Sequence, residues 1–279
     1  MKVKFLFIVA ILMVFLCFFS FSKTNNTNKS NLLGNTTIQQ RFQLPQGFVR
    51  EEESKTSFGV FLRKLPLKPL GSDVLYFDGT IKSNRNVYEA VVDLPIGRQD
   101  LHQCADAVMR LRADYFYGQK QYDKIHFNFT NGFRVDFSKW VEGYRIAIKG
   151  NKTSWVKTAK PSDSYQTYWK YLETVFMYAG TASLEKELKS INALDIKIGD
   201  VFIKGGFPGH AVIVVDVAVN PKNNQKIMLL AQSYMPAQEI QILKNPNSSS
   251  LSPWYAVDFG TSLKTPEWTF SSSQLKRFK

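Results

Sequence analysis

A chain of 279 residues with 44% hydrophobic and 14% aromatic residues holds enough apolar material for a full core, which excludes disorder over most of its length. The formal charge of +13 favours anionic partners, yet Lys and Arg occur in runs no longer than two and no nucleic-acid motif is present. Nucleic acid is therefore set aside in favour of a solvated basic surface meeting wall polymers or anionic lipid headgroups.

At the N-terminus, Lys2 and Lys4 precede an apolar run from Phe5 to Phe21, and Ser20 and Ser22 supply small residues for cleavage. This predicts a secretory signal peptide over residues 1–22 and an exported protein, with a retained anchor helix as the alternative. Leu16 stands before Cys17 where a lipoprotein needs a small residue, which disfavours lipidation. Cleavage after Ser22 removes two lysines and no acids, leaving +11, and it removes Cys17. The mature chain then keeps a single thiol, Cys104, and can form no internal disulfide.

Residues 23–41, rich in Asn, Thr and Ser, read as a flexible leader before a single domain over 42–279. Pro66 and Pro69 force an extended stretch, and Val87 to Leu94 predicts a strand ending at Pro95. Asp100 reads as the N-cap of the strongest helix, whose apolar face is Leu101, Cys104, Ala105, Val108, Leu111 and Tyr115. That spacing puts Cys104 in or near the first turn, where unpaired N–H groups favour negative charge.

Alternating segments on either side of Asn131-Gly132 predict a hairpin, and Tyr144 to Ile148 a further strand. Ser164 to Tyr178 predicts a helix with an aromatic face, read as core, and Ser183 to Lys189 a shorter one. Val201–Ile203 and Ala211–Val219 are β-branched runs flanking Gly205, Gly206, Pro208 and Gly209, so His210 stands at the mouth of a strand. Asn220-Pro221 turns the chain back through Ile227 to Tyr234. The fold class is α+β: a helix bearing Cys104 packed on a mostly antiparallel sheet bearing His210.

Cys104 and His210 are the candidate catalytic pair, since a thiol reacts as thiolate and its pKa falls at a helix N-terminus or beside a histidine. The competing readings are a packed cysteine and a histidine that satisfies a turn. In the 210–219/226–235 hairpin, His210 lies opposite Met235 or a near neighbour, with Gln232 and Ser233 close by. Register decides which of these orients the base, and Gln232 is preferred. Asp216 sits about 20 Å along the strand, too far to touch His210. His102 reads as a solvated first-turn residue, with a supporting role at the site as the alternative, and His126 as sheet surface or core. The histidines lack tight metal-ligand spacing, so neither metal nor cofactor is implied.

At Gln103-Cys104-Ala105-Asp106-Ala107-Val108, Gly199-Asp200-Val201-Phe202 and Gly209-His210-Ala211-Val212-Ile213, the chain resembles the papain-like superfamily, especially the bacterial cell-wall branch of NlpC and its CHAP relatives. The match covers about 30 of 279 residues, in the family's order and at its spacing of about a hundred residues. The residue before the cysteine departs from the pattern, being Gln103 where the family has an acid or serine, and the third residue is not an obvious His or Asn. The whole chain also resembles an uncharacterised family of bacterial secreted proteins. The papain-like resemblance implies a papain-like fold, Cys104 as nucleophile, His210 as base and a polar residue on the next strand as orienter. The expected function is an exported cysteine hydrolase cleaving an amide or related acyl bond, plausibly in cell-wall peptidoglycan. A non-catalytic envelope ligand-binding module and a lipid acyltransferase are the alternatives. The expected partner is anionic envelope material, with peripheral membrane contact allowed, and the expected state is a monomer.

Overall fold

A computed structural model describes residues 36–279; the expected signal peptide, Cys17 and residues 23–35 of the leader lie outside the described residues. The leader expected to reach residue 41 ends sooner. Thr36–Thr37 (β1) and Ile38–Arg41 (α1) are ordered because Ile38 is fully buried and Arg41 donates to Thr36 Oγ1 and the Lys68 carbonyl. The chain then forms Val49–Arg50 (β2), Phe58–Arg63 (α2) and Pro66–Leu67 (β3), whose partner is β1. Tyr88–Val91 (β4) follows and leads into the long helix Cys104–Gly118 (α3).

The expected Asn-Gly hairpin forms as His126–Asn128 (β5) and Arg134–Asp136 (β6), with Gly132 at φ +87°. Phe137–Val141 (α4) separates it from a second hairpin, Tyr144–Lys149 (β7) and Lys152–Lys157 (β8). Tyr165–Tyr178 (α5) buries Tyr168, Tyr171, Leu172, Val175 and Phe176, as its spacing requires, and leaves Tyr165 exposed. Thr181–Glu187 (α6) runs into Leu188–Ser190 (β9). The remaining strands are Val201–Lys204 (β10), His210–Val219 (β11), Lys226–Gln232 (β12), Gln241–Leu243 (β13), Tyr255–Ala256 (β14), Ser262–Lys264 (β15), Thr269–Ser271 (β16) and Leu275–Phe278 (β17).

Antiparallel pairing builds one main sheet in the order β4-β13-β12-β11-β10-β17-β9, with β14 added to β12 and β2 to β11. The architecture is α+β. Nine of the ten residues of β11 are buried, the signature of a strand covered on both faces, and α3 packs against it. Ala105, Ala107 and Ala113 let that helix approach closely, and its first eight residues are all buried. Among the described residues no helix is long and apolar enough to cross a membrane.

Two devices fix the position of β11. A bulge between Val214 and Asp216 interrupts its pairing with β12, and the buried Asp216 carboxylate accepts from Arg50 Nε (2.7 Å) and Arg63 Nε (2.6 Å). Those arginines carry β2 and α2, so one carboxylate holds the N-terminal elements against the strand. At Gly199, φ is +90° and a Cβ would stand 2.7 Å from Phe58 Cδ1, so only glycine lets the turn before β10 sit on α2. The next residue, Asp200, accepts from Arg277 Nε (2.6 Å) and Nη2 (2.8 Å), clamping β17 to β10.

Asp216→Ala leaves Arg63 buried without its carboxylate, and breaking a buried pair from one side costs about 3–5 kcal/mol. Urea unfolding is expected to show a loss of unfolding free energy of that size; a loss below about 1 kcal/mol would show that Asp216 does not hold these elements together.

Candidate functional site

The site forms where the N-terminus of α3 meets the start of β11. The N-cap falls three residues later than the expected Asp100. Gln103 is the capping residue, and its N–H donates to Asp106 Oδ2 at 3.0 Å. Asp100 instead braces the approach, its Oδ1 accepting from Gln103 Nε2 (3.0 Å) and the Ala237 N–H (2.6 Å). Cys104 is therefore the first helical residue, a position whose N–H has no partner within the helix.

His210 is 1% exposed and sits among Tyr234, Trp268 and Phe270, with ring centroids 4.7, 5.3 and 5.8 Å away. Continuing the Ile213–Ala231 and Val214–Leu230 register places Tyr234 across from it, the near neighbour of the expected Met235. Gly209 admits the turn before it, because a Cβ there would lie 2.4 Å from both the Gly206 carbonyl and Thr181 Oγ1.

His210 Nε2 lies 2.9 Å from Gln232 Oε1, so the preferred third residue is the one that reaches the ring. Gln232 Nε2 donates to Glu267 Oε2 at 2.6 Å, and Lys82 Nζ donates to both oxygens of Glu267 at 2.8 Å and to Gln238 Oε1 at 2.8 Å. The order of this chain fixes the proton on the imidazole. A carboxylate only accepts, so Gln232 must turn its amide N–H to Glu267 and its carbonyl to the ring. His210 Nε2 then carries the hydrogen, and Nδ1 is left as a lone pair that takes no hydrogen bond among the described residues.

Ser233, the other candidate on this strand, does a different job. Its hydroxyl lies 2.9 Å from the His102 carbonyl and 2.7 Å from that of Gln238, tying the loop before α3 to the end of β12. His102 is not the solvated residue expected. It is wholly buried against Phe176, with neither ring nitrogen partnered, because the helix starts after it and its loop is folded inward. Burial lowers its pKa to about 3. His126 is half-buried on β5.

Cys104 is 8% exposed and lines a cleft of about 310 Å³ with Asp106, Phe176, Thr181 and the strongly exposed Phe207 and Met235 at its rim. His210 is not part of that lining. No hydrogen bond joins the two among the described residues. Both stand where α3 packs on β11, and Tyr234 meets the imidazole.

The electrostatics run against the low thiol pKa expected at a helix start. Burial foremost, then the Asp106 carboxyl two residues on, raises the Cys104 thiol to about 11, outweighing the N–H groups of Ala105 and Ala211. Burial likewise lowers His210 to about 4, with Gln232 opposing and the Lys82 charge assisting. Asp106 is itself pushed well above the usual carboxylate range by burial, and its Oδ1 has no partner. At neutral pH the pair is a thiol beside a neutral imidazole.

Sequence reasoning missed Glu267, Lys82, Gln238 and Trp268. Lys82 stands in a polar stretch and Glu267 between Pro266 and Trp268, and no spacing relates either to His210.

The site thus belongs to an α+β domain with a cysteine at the start of a helix that packs on the strand a histidine opens. The chain is a member of the family described as Domain of unknown function (4846), which matches residues 38–277. No curated protein and no solved structure matches the chain.

Imidazole nitrogen NMR across pH 3–8 is expected to show His210 neutral down to about pH 4 with hydrogen on Nε2, and His102 neutral to about pH 3. In the folded protein neither should follow the usual midpoint near 6.5. A His210 midpoint above 6, or hydrogen on Nδ1, would contradict the Gln232–Glu267 arrangement.

Proposed function

We propose that this is an exported cysteine hydrolase of papain-like type, acting on an amide or related acyl bond of anionic envelope material, plausibly peptidoglycan stem peptides. The observation that carries the reading is the hydrogen-bond chain from His210 through Gln232 to Glu267, which leaves Nδ1 as a base on the strand packed beside Cys104. A histidine that only filled a turn would need no such chain behind it.

The neutral pair sets the order of events. Cys104 Sγ attacks the carbonyl carbon while His210 Nδ1 takes the thiol proton, so thiolate is generated in the act of attack. The carbonyl π-electrons move to oxygen, where the Cys104 N–H at the helix start would stabilise the anion. The C–N bond then breaks, the amine leaves with the proton from His210, and a thioester remains on Cys104. Water attacks the thioester with His210 as base, releasing the acid and restoring the thiol. Gln232 and Glu267 keep the ring in the required tautomer throughout.

A second reading is an envelope ligand-binding module using the same cleft. The deep burial of His210 and the raised thiol pKa favour it, since neither is adjusted for rapid reaction at neutral pH.

Alkylation by iodoacetamide separates the two. The hydrolase requires Cys104 to react in the folded protein, slowly at pH 6 and faster as pH rises toward 11. His210→Ala should slow alkylation at pH 7.5 and lower hydrolysis of a peptidoglycan stem-peptide amide by roughly 10²–10⁴-fold. Gln232→Ala is expected to fall between His210→Ala and the unsubstituted protein. A thiol that reacts only after denaturation, or equally with and without His210, establishes the binding module.

A further inference from the structure

A second cavity lies away from Cys104, a space of about 810 Å³ between the middle of α3, the β5–β6 hairpin and the end of β17. Its size is that of a site for a small organic ligand. Arg112 lines it from α3, two turns beyond the candidate nucleophile. Four aromatic rings surround its guanidinium: Phe116 at 4.5 Å from ring centroid to Cζ, Phe58 and Phe278 each at 5.0 Å, and Tyr115 at 5.9 Å.

What Arg112 lacks is a partner for its N–H groups. Among the described residues it makes no hydrogen bond and no ion pair, although it is half-buried. Arginine in such a place ordinarily spends its five donors on carboxylates or carbonyls, as Arg63, Arg110 and Arg277 do elsewhere in this fold. The rings hold the guanidinium by its faces and cannot satisfy its edge. The same walls carry Lys124, Lys186 and Lys279, and Arg134 already paired with Asp136 at 2.7 Å, beside the carboxylates of Asp123 and Glu187, so cations prevail. Glu187 has one oxygen engaged within the same lining, its Oε1 accepting from the Asn128 N–H at 2.8 Å. His126 adds a buried Nδ1 with no partner. Aromatic walls, a pre-positioned and unpaired guanidinium and an excess of positive charge together fit one chemistry: an oxyanion borne on an apolar or aromatic body.

We propose that this cavity is a binding site for a small amphiphilic anion, a carboxylate or phosphate monoester, received by the edge of Arg112 with its apolar part against the Phe58, Phe116 and Phe278 rings. The site is separate from the thiol cleft and does not depend on the hydrolase reading.

Calorimetric titration of the purified protein with 1-naphthyl phosphate, 1-naphthoate and neutral 1-naphthol tests it. Both anions should bind, 1-naphthol should bind at least tenfold more weakly, and the stronger of the two anions identifies the headgroup. Arg112→Gln removes a charge-assisted contact and should weaken anion binding roughly tenfold to a hundredfold while leaving Cys104 alkylation unchanged. Thermal melting reports whether that variant folds; should it not, Lys186→Gln, at an exposed position, is expected to weaken binding about threefold and to flatten its salt dependence. Binding of 1-naphthol as tight as that of the anions, no heat from any probe, or unchanged affinity in a folded Arg112→Gln protein overturns the proposal.

Discussion

The docking of α3 along β11 governs this structure. A strand buried on both faces tolerates a polar side chain only where a partner meets it, because an unpaired polar group inside costs several kcal/mol. β11 carries two such side chains, and each has its partner built in. Asp216 receives Arg50 and Arg63, and His210 receives Gln232. A shift of one residue along β12 would take Gln232 away from His210 as well as turning apolar side chains to the wrong face, so the pairing that satisfies the buried imidazole also selects that register. The site geometry is a consequence of that selection.

The same burial decides how the pair could react. With the thiol near 11 and the imidazole near 4, moving the proton from sulfur to nitrogen before substrate binds costs on the order of 10 kcal/mol. A turnover of about 10 per second allows a total barrier of roughly 16 kcal/mol, so a standing thiolate–imidazolium pair would consume most of it. On the proposed reading, proton transfer and carbon–sulfur bond formation must therefore be concerted. Cys104 then behaves more like an alcohol nucleophile served by a general base than like a pre-ionised thiol.

The chain disclosed its local structure more readily than its electrostatics. The Asn131-Gly132 hairpin, the aromatic helix at 165–178 and the β-branched runs at 201–204 and 210–219 were legible because turn chemistry and periodicity are local properties. Gln232 was within reach because a hairpin converts sequence distance into cross-strand neighbours. The start of α3 was misread at Asp100, whose side chain is taken by the Ala237 N–H, a contact 137 residues away. His102 was misread for the same reason: whether a loop residue faces water depends on what folds over it. The lowered thiol pKa failed because a helix terminus contributes little against desolvation, and desolvation is a property of the whole fold. Lys82 and Glu267 had no local signal, since they meet the site from a loop and from the turn between β15 and β16, 185 residues apart.

That distant pair explains why an amide can serve as the residue behind the histidine. A glutamine alone could present either end to the ring, and only its carbonyl end gives the tautomer with a free Nδ1. Glu267 removes the ambiguity by accepting the amide N–H, but a lone carboxylate so near a buried imidazole would draw a proton onto the ring. Lys82, itself 3% exposed, neutralises it with both carboxylate oxygens engaged. The cation needs the carboxylate to be tolerated in the interior, and the carboxylate needs the cation to orient Gln232 without charging His210. The ion pair thus controls the proton's position on the ring while adding no net charge behind it.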